Sequence, residues 1–259
     1  MRRTITVLSV LLLALGLTGV AALASPTMLD PFTQDELDNK WIADRQFPSG
    51  GVDSVSAHGR NDVAAIGIVG ANRSTAGQFY YFEGIKKVAA FGTAVQVDLY
   101  VPAEWESDAT SPLSVGFWAS DNPLTAYPLI VFRNSATVDA GFYVWNTVTG
   151  GYTPSGVAVK YGDWNTLSIA LDPDTDTVNY AVNGQFAGSS YAGGDTIGQV
   201  FLNHFNDGAR DYTAYWHAGV VAPPGPQTAD ECKKGGWMDF GFRNQGLCIR
   251  FVNTGKDSR

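Results

Sequence analysis

Glycoside cleavage needs two carboxylates flanking the scissile bond, roughly 5 to 9.5 Å apart according to mechanism. The glutamates available are Glu36, Glu83, Glu104, Glu106 and Glu231, and their nearest approach to a pair is Glu104-Trp105-Glu106, after Pro102 in what reads as a solvated loop. His58, His204 and His217 are far apart in sequence and form no His-x-His or His-Glu-x-x-His pattern, so a zinc site is not expected. No Gly-x-Ser-x-Gly elbow offers a serine nucleophile. Calcium is the one metal cofactor the chain hints at, through two groups of hard oxygen ligands. Asp172-x-Asp174-x-Asp176 has the start of an EF-hand loop, but Thr177 replaces its Gly and Asn183 its bidentate Glu. Asn203, Asn206, Asp207 and Asp211 make the second group, and neither yields a firm ligand list. Ligand recognition of the kind sugars receive uses an aromatic platform with convergent polar groups. Strand parity places Trp118 with Ser114, Gly116 and Ser120, Arg133 with Leu129 and Val131, and Tyr143 with Trp145. If those faces coincide on one concave sheet, Trp118, Arg133, Tyr143 and Trp145 form a ligand-binding groove; the alternative is that these aromatics are core.

The elements that must position them are strands. Short β-branched and aromatic runs, bounded by Gly, Pro, Asn, Asp or Ser, cover Val63–Val69, Gln78–Glu83, Ala94–Val101, Leu113–Ala119, Leu129–Arg133 and Gly141–Asn146. Val95, Val97, Leu99 and Val101 alternate with Ala94, Gln96, Asp98 and Tyr100, which predicts one buried and one wet face. Leu167, Ile169 and Leu171 alternate into the turn Asp172–Asp176, and Val178, Tyr180 and Val182 alternate back to Asn183-Gly184: a β-hairpin, then a tight turn. Further strands run over Thr196–Phe205 and Tyr212–Gly219, and Trp41, Trp164 and Trp216 are assigned to the core or its edge. One short helix is expected over Thr33–Trp41, capped by Thr33 with Glu36 at the third position. Many strands without a βαβ rhythm imply an all-β, antiparallel jelly-roll sandwich.

The first 24 residues read as a secretory leader: Arg2 and Arg3, an apolar run from Ile5 to Val20, and Ala22-Leu23-Ala24 before Ser25. The expected protein is therefore secreted. The formal net charge of −8 becomes more negative once that leader departs, which argues against nucleic acid and anionic membranes as partners. No later stretch is apolar for long enough to span a bilayer. Residues 25–51 lead into the sandwich, 52–220 form it, the Pro-rich 221–229 is a stiff linker, and 230–259 is a separate tail. In an exported chain, Cys232 and Cys248 read as one disulfide. A hairpin turning at Asn244-Gln245-Gly246 would cluster Trp237, Phe240, Leu247 and Ile249.

The stretch from Trp164 through Asp172 and the return from Val178 to Gly184 resemble the laminin-G-like, concanavalin A-like lectin and glucanase superfamily. The tail, from Cys232 to Cys248, resembles a short cassette attached to many secreted bacterial proteins. The first resemblance implies two curved sheets and carbohydrate or cell-envelope ligands. It also implies where catalysis would sit, and the residues depart from it. Glucanases of this type carry Glu-x-Asp-x-Glu on one strand, which is missing, and lyases use a Tyr-x-Lys motif that Lys160-Tyr161 reverses. Tyr143, His204 and Arg133 supply a lyase's residue types without its spacing. The leading expectation is a non-catalytic exported binding protein. The alternatives are a polysaccharide-degrading lyase or glycosidase, and a structural or adhesive surface protein whose tail makes the contact.

Overall fold

The computed structural model describes residues 26–107, 110–121, 126–219, 229–230, 232–235, 237 and 244–254. The expected leader, Phe240 and most of the expected linker lie outside them.

Two sheets face each other. The first runs, in spatial order, β13 (Gln185–Tyr191), β12 (Thr177–Val182), β11 (Asp163–Asp172), β6 (Ala94–Val101), β15 (Tyr212–His217), β4 (Arg60–Ile68) and β3 (Val52–Ala57). A short β1 (Thr27–Met28) joins β6 in parallel and makes it eight-stranded. The second, seven-stranded, runs β10 (Gly151–Pro154), β9 (Val138–Asn146), β8 (Leu129–Ser135), β7 (Ser114–Ser120), β14 (Ile197–Phe205), β5 (Phe82–Gly92) and β2 (Ile42–Arg45). Every pair except β1–β6 is antiparallel, and the whole is an antiparallel jelly-roll sandwich. Residues 25–51, expected to lead into the sandwich, contribute β1 and β2 to its two sheets.

The period-2 pattern decides what fills the space between the sheets. Val95, Val97, Leu99 and Val101 of β6 are fully buried, as are Leu167, Ile169, Val178, Tyr180 and Val182 of the β11–β12 hairpin. They meet Val115, Phe117, Ile130, Phe132, Val200 and Leu202 from the opposite sheet in one cluster. Each such side chain contributes roughly 1.5 to 3 kcal/mol by leaving water. The hairpin has the expected register, with Leu167 opposite Val182 and Asp172 opposite Thr177. At the next reversal Asn183 and Gly184 both have positive φ, 54° and 73°, as a tight primed turn requires.

Polar residues of the Trp164–Gly184 signature are structural. Asn165 is fully buried and exchanges bonds with the backbone of Lys160, while Asn183 accepts from Thr166 N–H and donates to Asn165 Oδ1. The wet face expected of β6 is wet only in part. Asp98 is 3% exposed because Arg60 and Thr166 close over it.

Gln78–Tyr81, expected as strand, is a 3-10 turn, and the strand β5 starts at Phe82 and continues to Gly92. Lys86-Lys87 conceals that continuation from a hydrophobic reading. Lys87 points to the inner side at the sheet's end, where its ammonium binds Asp30 Oδ2 at 2.6 Å and Glu36 Oε1. Burial works to lower its pKa, but the hydrogen bonds to the two carboxylates prevail and raise it. Helix α1 (Gln34–Lys40) begins as expected, Thr33 Oγ1 accepting from Glu36 N–H at 3.2 Å. The reciprocal half of the capping box is missing, because the Glu36 side chain is committed to Lys87. Lys87→Ala should therefore leave Glu36 partly buried and unpaired, lowering the unfolding free energy in urea by roughly 2 kcal/mol. An unchanged transition midpoint would contradict that role for the pair.

In the tail, Cys232 and Cys248 are disulfide-bonded with Cα atoms 5.7 Å apart, and Trp237, Leu247, Ile249 and Val252 pack around them. The expected hairpin is replaced by helix α2 (Gln245–Thr254), entered through Asn244, whose Oδ1 accepts from Leu247 N–H. Apolar spacing at Leu247, Ile249 and Val252 fits either a bent strand or a short helix, and the Asn cap decides for the helix. Among the described residues no helix is long and apolar enough to cross a membrane.

Candidate functional site

Sheet faces that point away from the core differ in what covers them. On the eight-stranded sheet, Tyr100 stands between Trp164 and Tyr215. The β3–β4 turn folds back over them. His58, at φ 50°, stacks on Tyr100 with centroids 3.5 Å apart and meets Tyr215 edge-on at 4.7 Å. Trp164 donates from Nε1 to the His58 carbonyl at 3.1 Å, and the Arg60 guanidinium lies 4.3 Å over its ring. Trp164 is thus buried, as expected, but beneath this turn on the outer face rather than in the inter-sheet core. Burial lowers the His58 pKa, opposed by the nearby Glu104 carboxylate. A polar cleft of about 400 Å³ remains beside the turn, bounded by His58, Glu104, Thr110 and Asp211.

On the outer face of the seven-stranded sheet the described residues leave a groove. Along one row Lys86, Phe201, Trp118 and Leu129 are registered partners across β5, β14, β7 and β8, and Trp145 pairs with Tyr152 beyond them. The adjacent row reads Asp44, Gly84, Asn203, Gly116, Val131 and Tyr143. Two of those central positions are glycine, and the lost side chains lower the floor. A Cβ at Gly116 would stand 2.6 Å from Val131 Cγ1, and one at Gly84 would strike the Leu202 carbonyl.

Above that floor is a groove of about 250 Å³ lined by Arg45, Phe82, Trp118, Tyr127, Leu129, Trp145 and Tyr152. Trp118 meets Tyr127 edge-on at 6.0 Å, and Trp145 meets Tyr152 at 5.1 Å. Arg45 forms the wall. Its guanidinium lies 4.7 Å from the Phe82 ring, 4.8 Å from Trp118 and 5.3 Å from Phe79. Asp44 Oδ2 anchors it from the same strand, 3.1 Å from Nε, and accepts from Asn203 Nδ2 at 3.0 Å. Arg45 Nη2 is buried without an aligned hydrogen bond. Its backbone sits at φ 52°, a left-handed conformation that bulky residues adopt at a cost. Opposite, Arg133 stands 4.5 Å from the Tyr152 ring and 5.5 Å from Tyr143. Burial raises the Tyr152 pKa, while the charges of Arg133 and Arg45 pull it down.

Trp118, Arg133, Tyr143 and Trp145 therefore share this outer face. Trp118 and Trp145 line the groove, whereas Tyr143 is 9% exposed and packs with Leu129 and Val131, its hydroxyl donating to the Asp139 carbonyl at 2.9 Å. Sequence reasoning missed Arg45, Tyr127 and Tyr152. Tyr152 could have been found from Gly150-Gly151, which closes a hairpin opposite Trp145. Arg45 carried no such signal.

The residues considered for catalysis are dispersed. His204 lies on the inner face, fully buried, accepting at Nε2 from Trp216 Nε1 at 2.9 Å across the core, so the sheet separates it from Tyr143 and Arg133. Glu83 is also interior, its two oxygens taking Ser49 N–H and Asn206 Nδ2, each at 2.7 Å. Asp44 is the carboxylate of the central row, and no second one stands in the two rows described above. Asp207 and Asp211, considered for calcium, accept from backbone N–H groups of Ala209, Arg210 and Gly70. Asp172 accepts from Asp174 N–H. Among the described residues no three His, Cys, Asp or Glu side chains are grouped to hold a metal ion.

No protein-family model and no curated protein matches the chain. Solved structures similar to it include an endo-1,3-beta-glucanase from Streptomyces sioyaensis, with TM-score 0.46 and 13% identity over 75% of this chain and 94% of that one. The carbohydrate binding module CBM66 from Bacillus subtilis has TM-score 0.40 and 12% identity over 69% of this chain and 92% of that one. A sialidase gives TM-score 0.48 and 12% identity over 75% of this chain, which spans 18% of the sialidase's length.

Proposed function

We propose that this is an exported, non-catalytic binding protein that recognises carbohydrate on the outer face of its seven-stranded sheet. The observation that carries the reading is the Trp118–Trp145–Tyr152 groove, open and aromatic while the opposite sheet's aromatics are covered by their own turn. Sugar rings offer apolar faces to such rings and hydroxyls to the polar groups around them. The rim supports the same reading: Tyr127 is 45% and Phe79 64% exposed, a cost for an unliganded surface.

A glycan array followed by calorimetry tests this, and failure to bind any polysaccharide would sink it. Trp118→Ala should weaken a bound glycan about 10- to 100-fold, the loss of roughly 1.5 to 3 kcal/mol of aromatic burial. Since Trp118 is partly exposed, the variant should stay folded by circular dichroism.

A further inference from the structure

We infer that the groove selects acidic polysaccharides, chains whose sugar rings carry carboxylate or sulfate groups; this rests on the carbohydrate reading above. The chain is acidic as a whole, with a formal net charge of −8, yet this face gathers Arg45, Lys86 and Arg133. Asp44 neutralises only Arg45. Lys86 and Arg133 have no carboxylate within ion-pair distance among the described residues. Both are held by aromatic rings instead, Lys86 Nζ 5.7 Å from Phe201 and Arg133 4.5 Å from Tyr152.

Their spacing suits a chain rather than a single sugar. Lys86 and Leu129 lie in one row, three strands apart, and Arg133 is four residues further along β8. With strands about 4.8 Å apart and about 3.3 Å per residue, the Cα atoms of Lys86 and Arg133 are roughly 20 Å apart across the aromatic floor. A polymer lying over Trp118 and Trp145 would stack its rings there and bring separate acidic groups to each cation. An arginine fixed over a ring keeps its planar fork free for a carboxylate or sulfate. An unpaired cation at either side of a groove on an anionic protein also steers polyanions to that face in particular.

Calorimetry on the full chain with polygalacturonate, dextran sulfate, xylan and dextran tests this, at low and high sodium chloride. Polygalacturonate or dextran sulfate should bind at least about 10-fold tighter than the neutral polymers, and the tighter of the two identifies the charged group. That margin should shrink with salt, because surface charges are screened within about 10 Å at 0.1 M. Arg133→Gln and Lys86→Gln should each cut acidic-polymer affinity about 10-fold, with Arg133→Lys recovering part of it. Neutral polymers bound as tightly as acidic ones would overturn the selectivity and leave carbohydrate binding standing. An acidic preference that survives the double variant would also overturn it, by placing the charge recognition elsewhere. If none of the four polymers binds and the glycan array is blank, the carbohydrate reading itself falls.

Discussion

Acidification from pH 6.5 towards 3 should destabilise this protein by up to about 1.4 kcal/mol per pH unit through His204 alone. Burial lowers the His204 pKa to about 3 from its ordinary 6.5, opposed by the Glu83 backbone. The sign follows from where the proton prefers to be. Between those two values the unfolded chain binds a proton that the folded chain refuses, so stability is complete above 6.5 and lost as pH falls. The geometry gives the same direction. Nε2 accepts from Trp216, so Nδ1 carries the single ring hydrogen, and that Nδ1 is buried without an aligned hydrogen bond. A second proton would remove the acceptor from the bond to Trp216 that links His204 to the facing sheet. His58 and His217 have lowered values as well, chiefly through burial, and steepen the same slope. Urea unfolding at half-unit steps from pH 8 to 4 measures the total. His204→Gln, which keeps an acceptor near Trp216 but does not titrate, isolates the share of His204. A slope unchanged in that variant would show that the histidine is not the acid-sensitive group.

Arg45→Ala should cost about 3 to 4 kcal/mol, more than a partly exposed arginine ordinarily contributes. Both side chains of the Asp44–Arg45 pair are about nine-tenths buried, and removing one partner leaves a carboxylate in the sheet face with only Asn203 to bind it. Three aromatic rings lose their cation at the same time. The double variant Asp44→Asn/Arg45→Ala should recover most of the loss, because no charge is then stranded. If the double variant is as unstable as the single one, the cost comes from lost packing rather than from the bare carboxylate. Alanine is the informative replacement: glycine would relieve the φ of 52° and mask the effect. Groove affinity should fall with Arg45→Ala even at temperatures where the variant is folded, since its guanidinium forms one wall.

These two residues mark the limit of what was legible beforehand. His204 sits in a strand where Val200, Phe201 and Leu202 are apolar in succession, so alternation does not assign its face; that its ring meets Trp216 from the other sheet depends on how the sheets face each other. Arg45 precedes a breaker cluster and has no motif. Its place in the groove follows from a left-handed backbone at the end of β2 and from a pairing with β5 some forty positions away in the chain.

Local rules, by contrast, carried far. Alternation at Val95 to Val101 and Leu167 to Val182 determined which side chains enter the core, because a strand's period of 2 assigns every residue to a face. The Asn183-Gly184 turn and the Thr33 cap were readable because backbone conformations there admit few residue types. Parity also put Trp118, Arg133, Tyr143 and Trp145 on one side of their strands. Parity does not say what covers a face. Trp118 and Trp164 are both outward-facing tryptophans of a sandwich strand, yet His58 and Arg60 from a distant turn close over Trp164, whereas Trp118 lines an open groove. Coverage depends on loops brought from elsewhere in the chain, and only the tertiary structure decides it.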